Sequence, residues 1–473
     1  VGSHDRLTLA DRLFLDVEDP MNNMHIAACF ILEAGPLSRE GLGVDIDEIC
    51  AYLESRLHRI PRYRQRIEYT PLEGHPMWVD DESFNLLYHV RHTRLPLPGD
   101  ERQLKRLCGR IVSQQLDRHK PLWEMWVVEG LEEDRVAIIT KVHHCMADGI
   151  SGVDLIQALL RPTPDKTFDP TPAWIPQAPP ETSELVRDVV ARRVRGAFDA
   201  GRSLLAAVRE PRASLDSLSE TLEGVSELGA LDSNPASETP INRRLGPHRR
   251  YDWLAFDLDE VKRVRRALGG TINDVVFSTV TGAIGRFFEL RGITEAEQRH
   301  MDFRAACPVS TRADQDRGSF GNQVSMMITS IPISERDPKR CHELVREALA
   351  QAKSSKQVRV MQALSDYGDW LSPGLVTGFS RRAMARRSSN LVVTNVPGPQ
   401  VPLYLLGAQM LAIYPVVPLP PEQALGIALF SYGGGLYWGI NSDWDLMPDL
   451  HELVEAIDLS FRELCRAADE AEG

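Results

Sequence analysis

Two adjacent histidines, His143 and His144, are followed by Asp148 and Gly149. An imidazole has a reference pKa near ~6.5, so at neutral pH it can take a proton from a hydroxyl. Such a base needs a second group to fix its tautomer and ring plane. Asp148, at His-x-x-x-Asp spacing from His144, could orient the ring or could stiffen the turn by pairing with a basic residue. No Gly-x-Ser-x-Gly elbow lies nearby. That favours direct attack by a bound hydroxyl on an activated acyl group over an acyl-enzyme. Metal chemistry is the weaker reading, because no His-Glu-x-x-His pattern and no third ligand stand close in sequence. Cys145 is expected to pack rather than to attack. A lone histidine at a strand end is commonly structural, but the pair with Asp148-Gly149 weighs against that here.

The elements around the pair must position it. Val136–Val142 (VAIITKV) is β-branched and largely apolar, which predicts a buried strand. A turn follows, then a helix over Val153–Leu160 with Val153, Ile156, Leu159 and Leu160 on one face. The histidines thus stand where a core strand hands over to a helix, at the lip of a crevice. Upstream, the pattern predicts a helix over Asp5–Leu15, a strand over Met24–Glu33 and a helix over Ile46–Ile60 stopped by Pro61. It continues with a strand over Phe84–His92 and a helix over Asp100–Leu116. Pro121-Leu122-Trp123 leads into the strand Glu124–Glu129, and a turn at Gly130–Asp134 delivers the histidine strand as a hairpin. His25, alone on its strand, reads as structural.

Arg161–Pro180 is too rich in proline for a helix or central strand and reads as a linker. Glu184–Arg209 is basic and amphipathic; it either docks on the body or lies on an anionic lipid surface. Phe379–Arg387 has the same character, and Glu210–Pro247 reads as loop. The second half opens with a strand (Tyr251–Leu258) and a helix (Asp259–Leu268) ended by Gly269-Gly270. Thr271 and Asp274 form a helix cap for Val275–Leu290. Strands follow around Phe303–Arg312, Gly321–Ser325 and Leu391–Pro399, then a hairpin of Leu425–Tyr432 with Leu436–Asn441, and a closing helix over Asp449–Leu464.

The 473 residues, 43% hydrophobic and 26% charged, suit a globular protein of two or three domains. A net charge of −13 disfavours nucleic acid as a partner. It also requires a local basic patch for any anionic substrate, for which Arg243, Arg244, Arg249 and Arg250 are candidates. The 7 cysteines are scattered without Cys-x-x-Cys spacing, no apolar run is long enough to span a bilayer, and no signal peptide is visible. A cytoplasmic protein is expected, peripheral on the inner membrane face or on lipid inclusions if the basic stretches touch lipid.

His143-His144-x-x-x-Asp148-Gly149, Pro121-Leu122-Trp123, Asn273-Asp274 and the blocks Phe303–Arg312, Gly321–Ser325 and Leu391–Pro399 follow one another in a specific order. That order resembles the bacterial wax ester synthase/diacylglycerol acyltransferase family. This family sits within a superfamily of CoA-dependent acyltransferases and peptide-synthetase condensation domains. The resemblance runs from about Leu7 to Leu464. It implies an α/β protein of two chloramphenicol-acetyltransferase-like domains, each a mixed β-sheet flanked by helices, joined by a long linker. Residues 1–162 would carry the HHxxxDG motif, 163–247 the linker with its basic helix and loop, and 248–473 the C-terminal domain. Acyl-CoA and acceptor would enter a channel between the halves.

The implied reaction is O-acyl transfer from a long-chain acyl-CoA to the hydroxyl of diacylglycerol or of a long-chain alcohol. His144 would be the base, with His143, Asp148 and Gly149 supporting it. Asn273, Asp274 and Trp123 would stand on the substrate side, although Trp123 also reads as a buried strand-entry residue. Acyl-CoA would be a co-substrate, with no metal or redox cofactor. Two alternatives stay open: a condensation-type acyltransferase fed by a carrier-protein thioester, and a catalytically silent lipid-binding protein of the same fold.

Overall fold

The computed structural model describes residues 5–39, 42–71, 74–146, 156, 159–170, 172–187, 189–191, 235–310, 324–354 and 388–472. Strands of the first half are β1 (His25–Glu33), β2 (Ser38–Arg39), β3 (Gly43–Val44), β4 (Gln65–Tyr69), β5 (Pro76–Asp80), β6 (Val90–Arg94), β7 (Trp123–Leu131) and β8 (Arg135–His143). Those of the second are β9 (Arg249–Asp257), β10 (Arg304–Ser310), β11 (Val324–Ser330), β12 (Leu391–Pro397), β13 (Tyr404–Leu405), β14 (Ala408–Val416), β15 (Leu425–Tyr432) and β16 (Gly435–Asp443). The helices that bear on the site are α1 (Leu9–Val17), α2 (Ile46–Arg56), α3 (Leu86–His89), α4 (Glu101–Ser113), α5 (Leu258–Leu268) and α6 (Ile272–Leu290).

Two six-stranded sheets form the frame, ordered β13-β14-β1-β8-β7-β6 and β11-β10-β12-β15-β16-β9. Both are mixed: β6 runs parallel to β7, and β12 runs parallel to β10 and β15, while the other pairs are antiparallel. The expected α/β architecture of two mixed sheets with flanking helices is therefore present. β8 lies between β1 and β7, so both its edges are paired and its apolar run Val136–Ile139 is buried.

The halves are interlocked rather than strung together. β14 comes from the second half of the chain but pairs with β1 in the first sheet, a crossing that the expected division at residue 248 does not contain. Trp253 of β9 stacks on Tyr414 of β14 with ring centroids 4.7 Å apart, and the Tyr251 hydroxyl donates to the Pro415 carbonyl at 3.1 Å. Gly439 of β16 touches the same carbonyl: a Cβ built there would lie 1.8 Å from the Pro415 oxygen. Gly439→Ala must push β14 away from β16, and overpacking of this kind costs about 1–3 kcal/mol. The expected result is a fall of several degrees in the thermal midpoint, and an unchanged melt would show that the two sheets separate freely.

Among its described residues the proline-dense segment has neither helix nor strand through residue 180, as expected, but its start is strapped down. Arg161 and Tyr404 exchange backbone hydrogen bonds, and Asp169 pairs with Arg59 at 2.6 Å, Arg161 at 2.6 Å and Arg56 at 3.4 Å. Residues 182–187 and 189–191 are helical. The rest of Glu184–Arg209, the segment Phe379–Arg387, residues 321–323 and most of the helix expected over Val153–Leu160 lie outside the described residues.

Three local expectations shift. The first helix starts later, because Thr8 caps it and Asp5 and Leu7 instead bond the backbone of Trp78 and Pro76. The strand expected over Phe84–His92 is split, since the Asn85 side chain caps the short turn α3 before β6 begins. The pairs β4–β5 and β13–β14 have no counterpart among the sequence expectations.

Candidate active site

β8 ends on His143, and His144 opens a 3-10 turn through Met146. Neighbouring backbone fixes this handover. The His143 N–H donates to Leu122 O at 3.0 Å, and the His144 N–H donates to Met24 O at 2.8 Å. Pro121-Leu122-Trp123 thus braces the strand end through its main chain. Two residues earlier, the fully buried Lys141 donates to the carbonyls of Ile111 (3.0 Å) and Gln114 (2.8 Å), with Glu124 Oε2 at 3.3 Å. A cation here complements the C-terminus of α4 and pins β8 to it.

The two histidines differ sharply. His143 is fully buried, with Nδ1 hydrogen-bonded and Nε2 facing a carboxylate. Its Nδ1 accepts from the Cys145 N–H at 3.2 Å and lies 3.0 Å from Cys145 Sγ. An accepting Nδ1 leaves the proton on Nε2, and Nε2 lies 3.5 Å from Glu18 Oε2. Glu18 is the C-cap residue of α1. Its other oxygen, Oε1, lies 3.1 Å from His25 Nε2 and accepts from the Met24 N–H at 3.2 Å. Arg118 donates to Oε2 through Nε (3.1 Å) and Nη2 (2.7 Å). Burial works against the Glu18 charge, but the bonds from His143 and His25 outweigh it and hold the carboxyl well below the usual carboxylate range. Burial pushes His25 down to about 4 even with Glu18 beside it. The cluster is therefore a fixed carboxylate ringed by the His143 imidazole, a neutral His25 and a guanidinium.

His144 is half-buried and stands outside this cluster. Its Nδ1 is enclosed and has no partner among the described residues. Its ring lies on Phe14 of α1, with centroids 3.8 Å apart and planes 17° from parallel. Burial, and secondarily the neighbouring His143, push its pKa down to about 4. At neutral pH it is an uncharged imidazole with no carboxylate beside it among the described residues. The arrangement suits one brace and one base.

The other expected site residues fall into two groups. Asn273 and Asp274 open α6, and Asn273 Oδ1 accepts from Asn395 Nδ2 of β12 at 2.7 Å. Two of the sequence blocks of the second half thus meet. Asp274 belongs to the helix: its Oδ2 accepts from the Thr271 N–H at 2.6 Å and hydroxyl at 2.9 Å, closing a capping box. The capping role that Thr271 and Asp274 suggest in sequence is thus present, through one of the two carboxylate oxygens. Trp123 is likewise a core residue. Its Nε1 donates to Tyr63 O at 2.8 Å, and His89 stacks on it at 4.6 Å. Asp148 and Gly149 lie outside the described residues.

Of the arginines proposed for an anionic substrate, Arg249 is otherwise occupied. It is buried, donates to Gly246 O at 2.7 Å and to Met21 O, and lies 3.7 Å from Asp443. It ties the loop before His25 to the second half. Arg250 lies over Trp444 at 3.8 Å, while Arg243 and Arg244 are exposed. Among the described residues no group of three His, Cys, Asp or Glu side chains forms a metal site.

Sequence reasoning missed Phe14, Glu18 and Arg118, and read His25 as an isolated strand residue. The available signal was spacing, because Phe14 and Glu18 stand four apart at the end of a helix and so share a face.

Comparison with known proteins places this geometry. Residues 7–276 match the model of the wax ester synthase/diacylglycerol acyltransferase catalytic domain, and residues 320–465 match the C-terminal domain of the same family. A probable diacylglycerol O-acyltransferase of Mycobacterium tuberculosis (strain CDC 1551) is 32% identical, over 96% of this chain and 94% of its own. A putative diacylglycerol O-acyltransferase of strain H37Rv is 33% identical, over 98% and 91%. Among solved structures, the wax ester synthase/diacylglycerol acyltransferase of Marinobacter aquaeolei VT8 superposes with a TM-score of 0.67 at 23% identity, covering 98% of this chain and all of that one. The first condensation domain of the calcium-dependent antibiotic synthetase shares the fold at a TM-score of 0.56 and 15% identity, covering 98% and 96%. With both of its halves matched and full-length relatives above 30% identity, the chain belongs to the wax ester synthase/diacylglycerol acyltransferase family.

Proposed function

We propose that this acyltransferase moves a long-chain acyl group from acyl-CoA to the hydroxyl of a diacylglycerol or a long-chain alcohol, with His144 as general base. The observation that carries the mechanism is the contrast within the pair: His143 is hydrogen-bonded at Nδ1 and has Glu18 3.5 Å from its Nε2, while His144 is neutral, has no partner for Nδ1 among the described residues and has no carboxylate beside it there. The acceptor hydroxyl gives its proton to His144 through Nε2, because Nδ1 is enclosed. The oxygen attacks the thioester carbonyl and a tetrahedral oxyanion forms. The C–S bond then breaks, and the departing thiolate takes the proton from the imidazolium, leaving ester and free CoA. Asn273, oriented by Asn395 at the start of α6, is the nearest candidate in kind for holding the oxyanion, since an amide at a helix N-terminus adds to the positive end of the dipole.

The water-insoluble acceptors call for a lipid surface. No helix among the described residues is long and apolar enough to cross a membrane. Peripheral contact through the basic stretch Glu184–Arg209 is the reading we favour. The test of the reaction is release of free CoA from palmitoyl-CoA with hexadecanol or dipalmitoylglycerol supplied separately. Release that depends on an acceptor is expected, and its rate with each names the preferred one. Release only from a phosphopantetheinylated carrier protein would instead make the chain a condensation-type enzyme. No release from any donor would leave a binding role.

A further inference from the structure

Helix α1 carries two side chains to the histidine pair, and they do different things. Glu18 holds His143, while Phe14 covers His144. We propose that Phe14 is a positioning residue for the base: its ring sets the plane of His144, and its face stabilises the imidazolium that forms as the acceptor hydroxyl gives up its proton. The inference rests on His144 being the base.

The first argument is what the ring lacks. General bases are commonly oriented by a hydrogen bond to the nitrogen that does not react. Here Nδ1 is enclosed without a partner among the described residues, so the contact that fixes the ring is the stack. The second argument is the stacking geometry. Two neutral aromatic rings favour an offset or edge-on arrangement over close parallel faces. A separation of 3.8 Å at 17° instead suits a cation over a π face, and that is the form His144 takes once it has accepted the proton. The third argument is anchoring. α1 is capped by Thr8, whose Oγ1 accepts from the Asp11 N–H at 3.2 Å, and Arg12 pairs with Asp16 at 3.2 Å. At the other end the Glu18 N–H donates to Phe14 O at 3.2 Å, and the Glu18 carboxylate is bound by Arg118, His25 and Met24. Phe14 is thus held from both ends of its helix, and cannot drift from His144 without disturbing the His143 brace.

The charged and titratable groups around His144 set the background for any pH test. His143 acts on it directly; Asp11, Glu18, Arg118 and Arg62 act on the adjacent Cys145, and His25 acts on Glu18 beside His143. None of them changes in a Phe14 substitution. The experiment is a pH profile of kcat for Phe14→Leu and Phe14→Trp, with Phe14→Leu chosen to keep an apolar side chain of similar size. Loss of the π face should lower kcat roughly tenfold with KM for palmitoyl-CoA nearly unchanged, and should move the acid limb to lower pH. Phe14→Trp, with the stronger π face, should restore kcat and return the acid limb to or above its original place. A thermal melt confirms that each variant is folded. A folded Phe14→Leu enzyme with unchanged kcat, or with an acid limb that stays or moves up, overturns the proposal. His144→Ala run alongside separates the failures. If that variant keeps turnover, the assignment of the base is wrong, whereas if it is dead while Phe14→Leu is normal, only the role of Phe14 is wrong.

Discussion

His144→Ala should lower acyl transfer about a thousandfold while leaving the protein folded and able to bind acyl-CoA. The size follows from what is removed, since a positioned general base contributes roughly 10²–10⁴ to a proton transfer. The retained fold follows from what the side chain touches. His144 is half-buried, its Nδ1 has no partner among the described residues, and its backbone bond to Met24 survives truncation. Removing it leaves no described polar group orphaned, and Phe14 loses only a stacking partner. His143 differs in kind. Its loss would strip Nδ1 from the Cys145 N–H and Nε2 from Glu18, so it should cost stability as well as rate. Free-CoA release in a single turnover, with a thermal melt on the same sample, checks both statements. Wild-type turnover in His144→Ala would remove it as the base.

The fold was legible wherever hydrophobic periodicity ran uninterrupted. β1, β7, β8, β15 and β16 were all expected near their observed ranges, because a strand buried on both faces leaves a long apolar run in the sequence. The capping box of α6 was read from Thr271 and Asp274 alone, since caps are local. β14 was not legible. Its sequence AQMLAIYPV is only partly buried and holds a proline, and what makes it a strand is β1, which lies far away in the chain. Pro415 stands opposite Ala28 in that pairing, and its carbonyl accepts from Tyr251, so the proline is accommodated by contacts that sequence does not display.

The site was legible in the same uneven way. His143 and His144 announce themselves by adjacency, but the carboxylate found beside His143 among the described residues lies far from the motif in sequence. Glu18 reaches the pair because α1 ends beside the start of β1, and β1 pairs with β8 so that His25 faces His143. A residue some hundred positions away becomes a neighbour through sheet register, which no local pattern encodes. Arg249 illustrates the reverse error. It was read as an anion site because its charge was visible, while its burial between the two halves was not.

Glu18→Gln is the second substitution with a large expected effect, and here stability and rate should both suffer. The glutamine amide keeps the shape but loses the charge, and its NH2 must face groups that are themselves donors. Around Oε2 those donors are Arg118 Nε and Nη2 and the protonated Nε2 of His143. Breaking a fully buried ion pair by removing one partner costs about 3–5 kcal/mol; here Arg118 is 39% exposed, so the expected cost is smaller. A displaced His143 carries the turn with it, and small misplacements of a catalytic group cost roughly a hundredfold in rate. The pH dependence gives the assignment its sign. The folded-state pKa of Glu18 lies below its ordinary value of 4.5, so its contribution to stability is complete above that pH and is lost as pH falls below it. His25 and His144 are pushed from 6.5 to about 4 in the folded protein, so the unfolded chain binds protons first and stability declines as pH drops from about 6.5 to about 4. The histidine decline between about pH 6.5 and about 4 should appear in both wild type and variant, because burial is its leading cause; loss of the Glu18 charge, which raises the His25 pKa, only extends the His25 part below about pH 4. The carboxylate part should appear in the wild type alone. Denaturant unfolding across this range should therefore show a stability gap between the two proteins that is constant above about pH 5 and narrows below it. A gap that stays constant into acid would mean that the Glu18 charge contributes nothing to the folded protein, and the brace would then act through shape alone.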